Sequence, residues 1–95
     1  MQYLVIAYDG RDSGAKHRRL KARAAHLENV KAMKKAGTFI NGGAILDDSG
    51  DMTGSVLLVE FGSKEALDEW LATDPYVTGG VWVKMEVKPI RLVSF

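Results

Sequence analysis

The stretch QYLVIAYD near the start of the chain is apolar in both phases of an extended backbone. Tyr3, Val5 and Ala7 point one way, and Leu4, Ile6 and Tyr8 the other. A strand of that kind wants cover on both faces. SVLLVEF repeats the pattern, with Val56 and Leu58 on one side and Leu57, Val59 and Phe61 on the other. VWVKMEVK alternates more simply and predicts a strand with Val81, Val83, Met85 and Val87 on one face. Pro89 then interrupts it, and IRLVSF continues as an edge or arm. TFINGGAIL follows a helix stop at Gly37, and its Gly-Gly pair predicts a bulge or a close approach of the backbone to something else.

Two helices fill the gaps. The first begins between His17 and Ala24 and ends at Ala36; the second takes Ser63 as N-cap and turns Ala66, Leu67, Trp70 and Leu71 toward the core. The order strand, helix, strand, strand, helix, strand predicts an α+β fold, a ferredoxin-like βαββαβ sandwich with both helices on one face of an antiparallel sheet. The other face would then carry apolar side chains with nothing over them. Patches of that size mark interfaces, so the expected assembly is a homodimer joined sheet to sheet.

Composition adds exclusions. A chain of 95 residues is one domain, 1–95, and at this size it gains from a partner. Eight of the thirteen Lys and Arg fall between Lys16 and Lys35 against the single acid Glu28, yet the net charge is +1 and no aromatics interleave. A solvated helix face is the reading this favours, with no nucleic-acid partner. Without cysteine there is no thiolate metal site or cysteine nucleophile, and no histidine cluster calls for a metal; no organic cofactor is implied either. The loop DDSGDMTG has three acids, but Leu58 stands where a calcium loop of the EF-hand kind would need glutamate. MQYLVIAYDG lacks a basic leader and is too short to span a bilayer, so a cytoplasmic protein without membrane contact is expected.

The candidate chemistry begins with a histidine. On a wheel of about 100° per residue with Leu20 at zero, Leu27, Val30 and Met33 fall at roughly 340°, 280° and 220°, and His26 at roughly 240°, within the apolar stripe. His17 lies among charges and reads as a surface residue. An inward imidazole needs partners for its ring nitrogens, and Asp74, in the Asp-Pro turn that ends the second helix, could supply one. Two readings of Asp74 stand together, since a carboxylate has room for several donors. It can cap a short turn starting at Pro75, and it can hold one nitrogen of His26, fixing the tautomer and leaving the other nitrogen as a general base. Arg23, one turn before His26 and at roughly 300° on the wheel, faces inward if the helix has begun by then and could hold an anionic oxygen; if the helix starts later it is a solvated terminus. Without such a base the two residues would be a satisfied core histidine and a cap.

RAAHL, the glycine pair after the first helix, TGSVLLVEF, and above all DPYVTGGV followed by VKP resemble the YciI-like (YCII-related) family nearly end to end. The resemblance implies a ferredoxin-like fold of the dimeric α+β barrel type, pairing through its sheets. It also implies a His-Asp dyad, falling here on His26 and Asp74, with Arg23 and Ser55 as substrate-binding positions. Ala44 stands where relatives often carry proline. The activity implied is loss of HCl from a chlorinated hydroxyquinol in aromatic degradation, the small-molecule partner being aromatic or anionic. A ligand-binding module using the same dyad and a purely structural dimer are the alternatives.

Overall fold

The doubly apolar stretches become the two central strands of an antiparallel sheet. In a computed structural model describing residues 1–95, β1 (Gln2–Asp9) pairs with β3 (Met52–Glu60) and with β4 (Trp82–Ile90), and β2 (Phe39–Leu46) pairs with β3. The order across the sheet is β2-β3-β1-β4. Helices α1 (Ala15–Ala36) and α2 (Lys64–Thr73) follow β1 and β3, and a single turn, α3 (Pro75–Thr78), precedes β4. This is the ferredoxin-like α+β fold.

Register explains the core. Tyr3, Val5 and Ala7 lie opposite Val59, Leu57 and Ser55, and all six are buried. Met33 of α1, Leu67, Trp70 and Leu71 of α2 and Tyr76 of α3 pack over them. The opposite phase, Leu4, Ile6, Val56 and Leu58, is left half-buried, with Tyr8 exposed beside it.

Helix signals act where expected. Gly37 takes φ +81° and its amide, with that of Thr38, satisfies the Lys34 and Met33 carbonyls. The Ser63 hydroxyl accepts from the Ala66 amide at 3.2 Å. Of the two expectations for the paired glycines of β2, the close approach is met, since a Cβ on Gly42 would lie 2.5 Å from the Val56 carbonyl oxygen, whereas the register shifts lie to either side of the pair, between Phe39 and Asn41 and between Ile45 and Leu46.

Four expectations are corrected. α1 begins at Ala15, before His17, because the Ala15 amide already finds the Asp12 carbonyl. Its inward stripe is not the leucine one: Leu20 and Leu27 are 59% and 45% exposed, whereas Ala15, Arg19, His26 and Met33 are buried. His26 does face the sheet, but in a stripe built of small and polar residues. In β4 the register shifts, with Trp82 beside Asp9 and Lys84 beside Tyr8, so Val83 becomes an extra residue, 62% exposed, and Trp82 turns inward. Pro89 stays within β4, tolerated because this strand lies at the edge.

Candidate functional site

α2 ends where Asp74 leaves helical geometry, at φ −63° and ψ 134°, as the following proline demands. Its carboxylate then caps α3, Oδ1 accepting the Tyr76 amide at 2.9 Å. The same oxygen lies 2.8 Å from His26 Nδ1, while Oδ2 accepts from Trp70 Nε1 at 3.2 Å and, more distantly, from Asn29 Nδ2 at 3.5 Å. The two roles considered for Asp74 therefore coexist in one fully buried side chain.

Donor and acceptor arithmetic fixes the histidine. An indole N–H and a backbone amide can only donate, so Asp74 accepts at both oxygens, and the His26 Nδ1 facing it carries the hydrogen. In the neutral ring Nε2 then keeps the lone pair. It has no hydrogen-bond partner in the protein, and it is not sealed off, since Arg19 Nε is the one buried side-chain polar atom both enclosed and unpartnered. The imidazole is stacked on the Tyr76 ring at 3.8 Å between centroids and meets the edge of Trp82 at 5.5 Å.

His26 opens onto a cavity of about 320 Å³ between α1 and the β2–β3 half of the sheet. That volume suits a small organic ligand. Arg23, Ser55 and Tyr76 line it with His26, and Gly42 and Gly43 form part of its wall. Although α1 has begun by Arg23, that side chain is exposed rather than turned inward as its wheel position predicts; it stands at the cavity's edge and makes no hydrogen bond or ion pair. Asp74 stands behind His26 rather than in the lining. Burial pushes the Tyr76 hydroxyl above its ordinary pKa, opposed by the positive fields of Arg19 and Arg23.

Ser55 is buried, in phase with Leu57 and Val59 on β3. Its Oγ accepts from Arg19 Nη2 at 3.1 Å and Trp82 Nε1 at 3.2 Å. Neither partner can accept, so the hydroxyl's own hydrogen is free for a third group. Arg19 Nη1 in turn donates to both oxygens of Asp9 at 2.9 Å, and its guanidinium carbon lies 4.8 Å from the Tyr76 ring centroid.

Arg19, Asp9, Tyr76 and Trp82 were not singled out from the sequence. Signals for two of them existed. Asp9 continues the Tyr3, Val5, Ala7 phase and is carried to the covered face, where it needs a cation. Arg19 stands two turns before His26 and shares its side of the helix. His17 is exposed, as expected. No group of three potential metal-ligating side chains occurs, and no helix is long and apolar enough to cross a membrane.

Comparison with known proteins places this geometry among relatives. Protein YciI of Escherichia coli O6:H1 is 37% identical over 99 residues, spanning 98% of this chain and 99% of that protein. The Emericella nidulans protein named Derivative of benzaldehyde biosynthesis cluster protein C is 37% identical over 78 residues, 74% of this chain and 80% of that one. Among solved structures, a 5-chloro-2-hydroxyhydroquinone dehydrochlorinase from Burkholderia phenoliruptrix AC1100, in complex with 2,5-dihydroxybenzoquinone, superposes with a TM-score of 0.83 at 27% identity, covering 96% of this chain and 94% of that one. The model of the YCII-related domain matches residues 1–91, and the chain belongs to that family.

Proposed function

We propose that this protein is a cofactor-independent enzyme in which His26, backed by Asp74, removes a proton from a planar oxygenated substrate held between Arg23 and Ser55. Most concretely, it eliminates HCl from a chlorinated hydroxyquinol to leave a hydroxyquinone. The observation that carries this reading is the 2.8 Å Nδ1 to Oδ1 contact, because in the neutral ring it favours the tautomer with Nε2 as acceptor beside the cavity. The chemistry balances without an oxidant. A ring hydroxyl shifts its proton to the chlorine-bearing carbon, giving the keto tautomer. His26 Nε2 takes the proton of a second hydroxyl, the O–H pair moves through the ring, and the C–Cl pair departs with chloride. The Asp74 carboxylate stabilises the imidazolium so formed, and the Tyr76 ring presents it a π face. Arg23 is the cation available to the leaving anion. The similar dehydrochlorinase supports the reaction class.

The test is chloride release from 5-chloro-1,2,4-trihydroxybenzene under exclusion of oxygen, with no added metal, flavin or nicotinamide. Wild-type protein should exceed the spontaneous rate, and His26→Ala should lose roughly 10²–10⁴-fold, the usual share of a general base. Equal rates in the two would dismiss the mechanism, and tight binding without turnover would favour the ligand-binding module, in which the same groups only orient a polar guest.

We also propose that a second copy of the chain covers the open sheet face, since Leu4, Ile6, Val56 and Leu58 have no other cover in the single chain. Light scattering should give twice the 10.4 kDa chain mass. A mass of one chain at micromolar concentration would refute it.

A further inference from the structure

The proton-abstraction reading accounts for His26 but not for the ring stacked on it. Tyr76 is 2% exposed. Its hydroxyl makes no hydrogen bond within the protein, yet it is not among the enclosed orphan atoms, of which Arg19 Nε is the sole example. The side chain lines the cavity. The hydroxyl is thus not sealed, and the cavity this side chain lines is one His26 lines too. A buried hydroxyl without a partner calls for an explanation, and neighbours that could have served are committed elsewhere. Asp74 is filled by His26, Trp70 and the Tyr76 amide. Asp9 is paired with Arg19, which donates to both its oxygens. Burial holds the phenol in its protonated form at neutral pH, so it meets a ligand as an O–H donor.

We propose that Tyr76 is a substrate-contacting hydrogen-bond donor, its hydroxyl holding the substrate oxygen that carries negative charge when His26 Nε2 takes the proton. The inference rests on the proposed reading of His26 and deepens it by naming the ligand class. The substrate carries at least two oxygens on one planar conjugated skeleton, one bound to the proton that leaves and one that accepts from Tyr76, as in an enol, a phenol or a hydroxyquinone. The balance is simple. The substrate's bond to hydrogen breaks, the new N–H forms on His26, the electron pair is delocalised onto the substrate oxygen, and Tyr76 keeps its proton throughout. Acceptor and donor belong to two stacked rings that line one cavity. A donor waiting where charge develops stabilises the transition state without reorganising.

The test uses 2,5-dihydroxybenzoquinone as probe, a vinylogous acid that presents anionic oxygens at neutral pH, titrated calorimetrically into wild type and Tyr76→Phe. Phenylalanine keeps the ring that packs on His26 and Trp82 and deletes only the hydroxyl. Loss of a hydrogen bond to a charged oxygen should weaken binding on the order of 10- to 100-fold, with the melting temperature unchanged or higher. Binding by Tyr76→Phe within twofold of wild type would overturn the proposal, because a purely packing role is preserved in that variant. Failure of the wild type to bind the probe would overturn it as well. The two readings fail separately: if His26→Ala releases chloride at the wild-type rate while Tyr76→Phe loses affinity, the base role falls and the Tyr76 contact stands.

Discussion

Arg18 and Arg19 are neighbours in sequence, and each reaches an aspartate from the end of β1 or the loop after it, yet the two pairs belong to different kinds of place. Arg18 grips Asp12 with two parallel bonds of 2.8 and 2.7 Å and sends Nε to the Gly80 carbonyl at 3.1 Å, with the two side chains 33% and 58% exposed. Arg19 holds Asp9 at 2.9 Å with both side chains nearly sealed, 5% and 6% exposed. One residue is about 100° of helix rotation, which turns the first guanidinium outward and the second under the helix. Asp9 ends a strand in the covered phase; Asp12 sits in the loop beyond it. By geometry alone the exposed pair looks the better one. The buried pair is the one at the cavity, where Arg19 is part of the lining, bonds Ser55 and lies over the Tyr76 ring.

The sharpest break of this comparison is to remove the buried acid. Asp9→Ala leaves the Arg19 guanidinium enclosed without its counter-charge, and should cost about 3–5 kcal/mol of stability in urea unfolding. That is a large part of what a small domain possesses. Replacing both partners, Asp9→Leu with Arg19→Met, should recover most of the loss, since an apolar pair of similar volume escapes the desolvation penalty. The same double variant should bind 2,5-dihydroxybenzoquinone poorly, because Ser55 and the Tyr76 ring lose the group that fixes them. Full recovery of binding would show that the buried pair serves stability alone.

The sequence showed the dyad more readily than this pair, and the reason is physical. His26 is one of two histidines, and Asp74 is flagged by the proline after it, so few residues competed for attention. Arg19 stands among eight cations between Lys16 and Lys35, and composition reads such a run as solvated. Its difference comes from tertiary contacts: a strand phase that carries Asp9 inward and a helix face that is mostly alanine and polar. The same circumstance misplaced the stripe of α1. Leu20 and Leu27 look like the core face by hydropathy, but that face is filled by Arg19 and His26, whose polarity is offset by partners on β1, β3 and α3. The strand order was legible because alternation is local. The inward turn of Trp82 was not, because it depends on a bulge at the Tyr8 to Asp9 register.

The exposed pair supplies the smallest expected effect and the cleanest contrast. Its hydrogen bonds to Arg18 hold the Asp12 carboxyl well below the usual carboxylate range. A carboxylate with a lowered folded-state pKa contributes stability that is present above its unfolded pKa and is lost as pH falls through the folded value. Asp12→Asn should therefore be slightly less stable than wild type at pH 7 and should converge with it only under strongly acid conditions. Water and ions surround both side chains, so even the pH 7 difference should be small. Raising the ionic strength toward 1 M, where the screening length is about 3 Å, should nearly abolish it. The Asp9→Ala loss should persist in the same salt, because the charge it strands is out of reach of solvent ions. Thermal melts of the two variants across a salt series measure both responses. Equal salt sensitivity would mean that burial does not separate the two arginines.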